Sequence, residues 1–380
     1  MAVHKVVIVG AGIAGLATAV ALKRVGIPAL VLERSHELRA TGAALTLTPN
    51  AWRALDALGV AHKLTSIYTP FQKGSITNVV TGATQRVSYA GTLDREGLEV
   101  RSVHRRALLK ALAEELPTAT IRFSSKLMSI RTETLQDLPV YVVHMDGEQV
   151  VKTKVLIGCD GVHSVIAQWL GLSAPVHSGR AAVRGLAIFP EGHGLNHEVQ
   201  QIIGDGGRGA FVPLTDKDIY WAMTYKSSMN GGEWARDPEL IQKLPWDLIF
   251  KNACKGTVTV AGDAMHPMTP DLGQGGCSAL EDAVVLGRNI RNSLLENGKF
   301  EQKRVEEGLK KYVKERRWRV SGLIAGAYLS GWIQQESSGW LMKFIREKIF
   351  YGLIYNKLAD AIHYDCGKLP SASSLENAPE

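Results

Sequence analysis

Residues 5–33 read KVVIVGAGIAGLATAVALKRVGIPALVLE, and this stretch decides the fold. Lys5–Val9 is a lysine followed by an unbroken apolar run, which predicts a buried strand ending at Gly10. Ile13–Val25 then reads as a helix with alanine and leucine on its inner face. Ala29–Glu33 is a second buried strand. Strand, helix and strand in this order predict a parallel sheet. The turn between the first two elements is Gly10-Ala11-Gly12-Ile13-Ala14-Gly15. In this pattern the first glycine permits a tight turn, the second lets backbone approach a pyrophosphate, and the third lets helix and strand pack closely. The helix N-terminus presents its positive end to such phosphates. Glu33 closes the second strand, 18 positions after Gly15. A carboxylate there accepts both ribose hydroxyls of an adenosine and repels a 2′-phosphate, which favours FAD or NAD over NADP. Arg34 beside it is a further candidate contact to the adenosine.

Outward from this unit, Thr48-Pro49-Asn50 predicts a helix over Ala51–Leu58, stopped by Gly59. Lys73–Val80 and Gln85–Tyr89 read as a hairpin, and Arg105–Leu116 as a helix ended by Pro117. Strands are expected at Ile121–Phe123, Tyr141–Met145 and Val155–Cys159. A β-rich stretch follows over Val199–Ile203, Gly209–Leu214 and Ile219–Tyr225. A buried strand at Val258–Ala261 and a helix at Gly275–Leu286 precede a mostly helical remainder. The expected fold is therefore α/β: a Rossmann-like domain with a parallel sheet, interleaved with a mixed-sheet substrate domain and a C-terminal helical region. The expected boundaries are 1–72, 101–180 and 251–300 for the dinucleotide domain, and 73–100 with 181–250 for the substrate domain. Helices should fill 301–367, and 368–380 should be a disordered tail.

Composition narrows the function classes. The chain has 380 residues, 45% hydrophobic and 21% charged, with a formal net charge of +7. Much of the excess lies in Lys303, Arg304, Lys310, Lys311, Lys314, Arg316 and Arg317, interleaved with Glu306, Glu307 and Glu315, which reads as a solvated helix face. No basic stripe carries interleaved aromatics, so a nucleic-acid partner is not expected. Cys159, Cys254, Cys277 and Cys366 are scattered, which indicates neither a disulfide framework nor a zinc site and suits a reducing compartment, the cytoplasm. The uncharged stretch Val320–Gln335 is too short for a membrane span. Trp340–Tyr355 mixes apolar residues with Lys343, Arg346 and Lys348 and could contact a membrane surface or pack on the core. The oligomeric state is not legible.

A second stretch separates the two dinucleotides. Residues 262–282 read GDAMHPMTPDLGQGGCSALED. A strand ending in Gly262-Asp263 puts a carboxylate at the mouth of the sheet. The loop then passes Pro267 and Pro270 into Gly273-Gln274-Gly275-Gly276, where a helix starts and backbone amides become available to a flat ligand. The dipole of that helix would stabilise negative charge on the ligand. This string resembles the G-D-A-x-H-x-x-x-P-x-x-G-Q-G motif of the FAD-dependent aromatic hydroxylases, the single-component flavoprotein monooxygenases. Cys159-Asp160-Gly161-Val-His163-Ser164 resembles the family's Asp-Gly motif, near the pyrophosphate. Ser102-Val-His104-Arg105-Arg106 resembles the segment whose arginine, here Arg105, reaches the FAD phosphates. Thr41–Asn50 and Tyr364–Lys368 look like the plant monooxygenase branch related to zeaxanthin epoxidase and salicylate hydroxylase.

The resemblance implies a bound FAD and a transient NAD(P)H. It implies an oxygen atom passed from a flavin C4a-hydroperoxide, made with molecular oxygen, to an aromatic or phenolic small molecule. Asp160, Gly161, Asp263, Gly275 and Gly276 join the glycine turn as cofactor contacts, and Pro270, Gly273 and Gln274 form the loop at the flavin ring. No obligate catalytic base follows, because the cofactor carries the chemistry. The aromatics Phe211, Tyr220, Trp221 and Tyr225 are candidates for a pocket or a core. Two departures stand out. Ala167 occupies a place where relatives carry arginine. Pro238–Leu244 runs almost straight into Pro245-Trp246, where relatives have several dozen more residues. The alternatives are an alkene epoxidase of the same family and a flavin-binding protein of impaired or regulatory function.

Overall fold

The computed structural model describes residues 3–39, 43–88, 99–176, 178–204, 207–227, 252–294, 301–335 and 361–370. The chain runs β1 (Val3–Val9), α1 (Ile13–Arg24), β2 (Ala29–Leu32), β3 (Ala44–Leu47), α2 (Pro49–Ala57), α3 (Ala61–Thr65), β4 (Lys73–Asn78) and β5 (Thr84–Ser88). It continues through β6 (Arg101–His104), α4 (Arg105–Ala113), β7 (Ile121–Arg122), β8 (Leu127–Leu135), β9 (Leu138–Met145), β10 (Val150–Gly158) and α5 (Val165–Leu170). Then come β11 (Arg180–Ile188), β12 (Val199–Ile203), β13 (Gly207–Pro213), β14 (Asp218–Lys226), β15 (Cys254–Lys255) and β16 (Val258–Val260). Helices α6 (Gly275–Asn292) and α7 (Gln302–Gln335) follow.

Two large sheets divide the work. The first has the order β15-β16-β10-β1-β2-β7, with β9 also on β10 and β8 on β9. Its central pairings, β2 with β1, β1 with β10 and β10 with β16, are all parallel. Val6, Val7 and Ile8 of β1 are fully buried, as a strand covered on both faces requires. On it lies α1, whose residues 13–22 are all buried. Helix α6 packs against α1 so closely that a Cβ at Gly287 would stand 2.8 Å from the Cβ of Ala21. The second sheet is mixed, in the order β11-β14-β13-β12-β4-β5. Its strands come from residues 73–88 and 180–226.

Several expectations need correcting. The antiparallel pair β3 and β6 and the strands β8 and β11 were not foreseen. The disordered tail does not begin at Lys368: Cys366 is 1% exposed and Leu369 packs on the core beside Gly287. The expectations for Trp340–Tyr355, for the Pro238–Trp246 junction and for 371–380 fall outside the described residues. No helix among the described residues is long and apolar enough to cross a membrane.

Candidate functional site

Four adjacent parallel strands, β2, β1, β10 and β16, end on one side of the first sheet. Their carboxyl ends carry Glu33, Gly10, Asp160 and Asp263, so the sheet gathers residues far apart in sequence along one crevice. Open α/β sheets bind ligands at such an edge.

The glycine turn is built by close approach. Gly10 adopts φ +102° and donates its N–H to Leu32 O at 2.7 Å. A Cβ on Gly15 would fall 1.8 Å from Gly10 O, so only glycine lets α1 start this close to β1. Gly12 caps α1 with no side-chain hydrogen bond, and a Cβ there would meet nothing within 4 Å. The start of α1 therefore has open space beside Gly12, as close approach of an anion to its first-turn N–H groups requires. Ala11, Ile13 and Ala14 are buried and hold the turn from beneath.

Glu33, 8% exposed, accepts from Ala11 N at 2.7 Å and from Ser35 N at 2.9 Å. Its carboxylate is thereby fixed beside the cradle. Arg34 is exposed. Glu33→Ala orphans two backbone donors and removes the ribose acceptor. FAD binding should weaken by roughly tenfold or more, at about 1.4 kcal/mol per decade, as flavin fluorescence titration would read.

Arg105 begins α4. Burial and the like charge of Arg184 push its pKa down, and Asp263 partly offsets them. The fold thus brings Arg105 and Asp263 within each other's field. A Cβ on Gly275 would lie 3.9 Å from Asp263 Oδ1, so Asp263 also borders the start of α6. Asp160 is committed to capping α5: it accepts from Ser164 Oγ at 2.6 Å and Val165 N at 2.8 Å. Burial raises its pKa, and these bonds oppose the rise. Gly161, at φ +85°, has open space beside it. Ala167 donates its N–H to Ser164 Oγ at 2.9 Å.

The loop from Gly262 to Gly276 is rigid for visible reasons. Gly262 N donates to Asp282 Oδ2 at 2.8 Å, and His266 Nε2 lies 2.5 Å from the same oxygen. His266 is fully buried, behind the loop. Pro270–Leu272 forms one 3-10 turn, after which Gly273 turns at φ +64° with open space beside it. Pro270 and Gly273 are exposed, whereas Gln274 is 2% exposed. The Gln274 side chain points inward: Nε2 donates to Thr48 Oγ1 at 2.9 Å, and Oε1 accepts from Asn50 Nδ2 at 2.9 Å. What Gln274 can offer a ligand is backbone.

Behind this loop stands a charge cluster missed at the sequence level. Arg316, expected on a solvated face, is fully buried and pairs with Glu281 Oε2 at 2.6 Å and Asp282 Oδ1 at 2.7 Å. Arg319 pairs with Glu281 at 2.8 Å, and Asn50 Nδ2 donates to Glu281 Oε1 at 2.6 Å. Burial alone would raise the Asp282 pKa, but His266 and Arg316 outweigh it and hold the carboxyl at about 2. The available signal was the pair Glu281-Asp282 inside the otherwise apolar stretch Ala279–Leu286, because two adjacent buried carboxylates demand cations.

The second sheet offers one face to the crevice. Cross-strand partners share a face, so Arg184 of β11 lies with Tyr220 and Ala222 of β14 and with Arg208 and Val212 of β13. Burial raises the Tyr220 pKa and the Arg184 guanidinium opposes it. Arg208 Nη2 donates to Gln201 Oε1 at 2.7 Å. Asp218, two residues before Tyr220, reaches His104 Nε2 at 3.3 Å, and His104 Nδ1 is 2.9 Å from the Tyr68 hydroxyl. This face therefore looks at the first domain. Of the four candidate aromatics only Tyr220 is on it. Phe211, Trp221 and Tyr225 lie on the other face, where Trp221 and Tyr225 are 38% and 40% exposed.

The residues fit an FAD: an open amide cradle, a fixed carboxylate beside it, and a second glycine-lined loop at the same sheet edge. Comparison with known proteins agrees. Residues 4–247 and 245–327 match a family model described as an FAD binding domain. The chain is 40% identical to Monooxygenase 2 of Arabidopsis thaliana over 404 aligned positions, covering 96% of this chain and 98% of that one. It is 30% identical to an FAD-dependent urate hydroxylase of Mycolicibacterium vanbaalenii, over 74% of this chain and 78% of that protein. Among solved structures, Klebsiella pneumoniae HpxO complexed with FAD and uric acid superposes with a TM-score of 0.76 at 25% identity. That match covers 97% of this chain and 98% of the other.

Proposed function

Because the chain belongs to the FAD-binding-domain family of flavin-dependent monooxygenases, we propose that it inserts one oxygen atom into an aromatic or phenolic small molecule at the crevice between its two sheets. The bound FAD supplies the redox and oxygen chemistry, with NAD(P)H as electron donor and molecular oxygen as co-substrate. The observation that carries the reading is the convergence of Gly10–Gly15, Glu33, Arg105, Asp263 and Gly273–Gly276 on one sheet edge, opposite the face bearing Arg184, Arg208 and Tyr220. The first-turn amides of α1 and the Arg105 guanidinium bind the pyrophosphate. Glu33 takes the ribose. The amides at Gly273–Gly276 and the positive end of α6 would border the flavin ring and stabilise negative charge that develops on it. Tyr220, with Arg184 and Arg208, orients the substrate. We place the protein in the cytoplasm, supported by four cysteine thiols with no disulfide among them. Hydroxylation is preferred to alkene epoxidation because this polar, cationic face suits a phenol or its anion better than an unactivated alkene. The test is a screen of phenolic acids and purines for substrate-stimulated NAD(P)H oxidation with oxygen uptake recorded. Oxygen uptake that no such compound stimulates would sink the proposal.

A second reading concerns efficiency. The family match breaks into two pieces that meet at 245–247, and the alignment to Monooxygenase 2 has more positions than this chain has residues. The second supports a chain shorter than that relative, and the first supports a shortening near Pro245, away from the cofactor contacts. FAD should therefore copurify near one per chain, while most NAD(P)H consumed should appear as hydrogen peroxide. Apo protein would refute the first half, and tight coupling the second.

A further inference from the structure

The loop at the proposed flavin ring is held from outside its own domain. Asp271, the middle residue of the Pro270–Leu272 turn, accepts from Arg180 Nη1 at 2.6 Å, and the two side chains are only 2% and 11% exposed. Arg180 is the first residue of β11, in the substrate sheet. Its guanidinium lies 5.9 Å from the ring centroid of Tyr328 on α7. The same helix makes room for the pair. A Cβ on Gly331 would fall 1.5 Å from Arg180 Nη1 and 2.6 Å from Asp271 Oδ2. The ion pair is thus pressed against helix backbone, where a side chain at 331 would have to displace it. Gly273, whose N–H donates to Pro270 O at 3.0 Å, is the next turn residue and opens on free space.

We propose that Arg180 is a positioning residue that fixes the flavin-facing loop to the substrate sheet through Asp271, so that ring and substrate face keep one spacing. This rests on the assignment of that loop to the flavin ring. The chemistry is specific to arginine. A planar guanidinium can donate to the carboxylate from its edge while its face lies on an aromatic ring, whereas a lysine ammonium makes only the point contact. The Arg180 side chain is engaged by Asp271 and Tyr328, so its effect is on reaction geometry, and displacing a reacting group by about an ångström can cost on the order of 100-fold in rate.

The experiment uses the full chain loaded with FAD. Arg180→Ala should keep its FAD Kd within about threefold, since the pyrophosphate and ribose contacts are remote. Its flavin absorption band should shift towards that of free FAD, iodide should quench its flavin fluorescence more strongly, and peroxide per NAD(P)H should rise. Arg180→Lys should fall between parent and Arg180→Ala. The charge-swapped double variant Arg180→Asp/Asp271→Arg should recover part of the spectrum. Asp271→Asn, which keeps side-chain volume and leaves Arg180 on Tyr328, carries the same expectation should Arg180→Ala not fold. A parental spectrum and quenching in Arg180→Ala or Asp271→Asn, or a swap no better than either single variant, overturns the proposal. If no phenolic acid or purine stimulates NAD(P)H oxidation by the parent, the monooxygenase reading fails separately, and the spectral and quenching arms still decide this one.

Discussion

Gly12→Val should give a protein that folds as well as the parent and binds FAD roughly 10- to 100-fold more weakly. Gly12 adopts φ −78° and ψ −170°, an extended conformation open to any L-residue, and a Cβ there meets nothing within 4 Å. The unliganded chain has no reason to resist the change. If that open space is the pyrophosphate cradle, the isopropyl group enters it and overpacks the bound state by about 1–3 kcal/mol. Two neighbouring glycines make the contrast. Gly15→Ala drives a Cβ into Gly10 O and should lose stability and FAD together. Gly287→Ala, with Ala21 Cβ at 2.8 Å and Leu369 at 3.2 Å, is crowded but far from the cradle, so the folded fraction should bind FAD normally. Thermal melts of the unliganded proteins, paired with fluorescence titrations of FAD, separate the three. Parental FAD affinity in Gly12→Val would mean that the free space at α1 is not where phosphate sits.

The contrast among these glycines also marks what could be read from sequence. Strand, glycine turn, helix and acidic residue are local, and local spacing defines them, so the β1–α1–β2 unit and the strand–loop–helix course through Gly262–Gly276 were legible. Pairings between distant segments were not. Strand β11 alternates small, polar and apolar residues that fit either state, and it becomes a strand by pairing with β14 along its whole length. The same pairing decides which aromatics see the crevice, because a residue's face depends on register. Tyr220 and Trp221 are chemically similar neighbours that point in opposite directions, and composition could not rank them. Arg316 misled for another reason. Its near neighbours Glu315 and Lys314 imply a solvated face, and only the long helix α7 passing behind Glu281-Asp282 turns Arg316, with Arg319 beside it, inward. Gln274 was legible as part of the loop but not as a side chain turned away from the ligand, since its partners Thr48 and Asn50 are more than 220 residues away.

Arg316→Ala should be the most destabilising single change in the helical region, and its cost should depend on the carboxylates it leaves behind. Arg316 is fully buried, and its removal strands Glu281 and Asp282, both 0% exposed, with Arg319, Asn50 and His266 as remaining partners. Breaking one partner out of such a cluster costs about 3–5 kcal/mol, or a fall in Tm of about 4–6 °C for a chain of this length. Arg316→Met with Glu281→Gln and Asp282→Asn removes the charges together and should recover much of that loss, because desolvated ion pairs return little net stability over neutral groups. The pH dependence supplies the sign. The Asp282 pKa is depressed from 3.8 to about 2 in the folded chain. Its contribution is therefore complete above pH 4 and lost as pH falls towards 2, because the unfolded carboxyl takes up its proton first. In Arg316→Ala that depression shrinks, so acid unfolding should begin at higher pH and stability should fall less steeply between pH 4 and 2. The cluster also holds the loop, through the Asp282 bonds to Gly262 N and His266. Arg316→Ala should consequently weaken FAD binding even at temperatures where it is folded, whereas the triple variant keeps an acceptor at 282 for Gly262 N. Calorimetry across pH together with FAD titration at 15 °C below each Tm checks both halves. An Arg316→Ala protein with parental acid stability would mean that the buried guanidinium is not what ionises its neighbours.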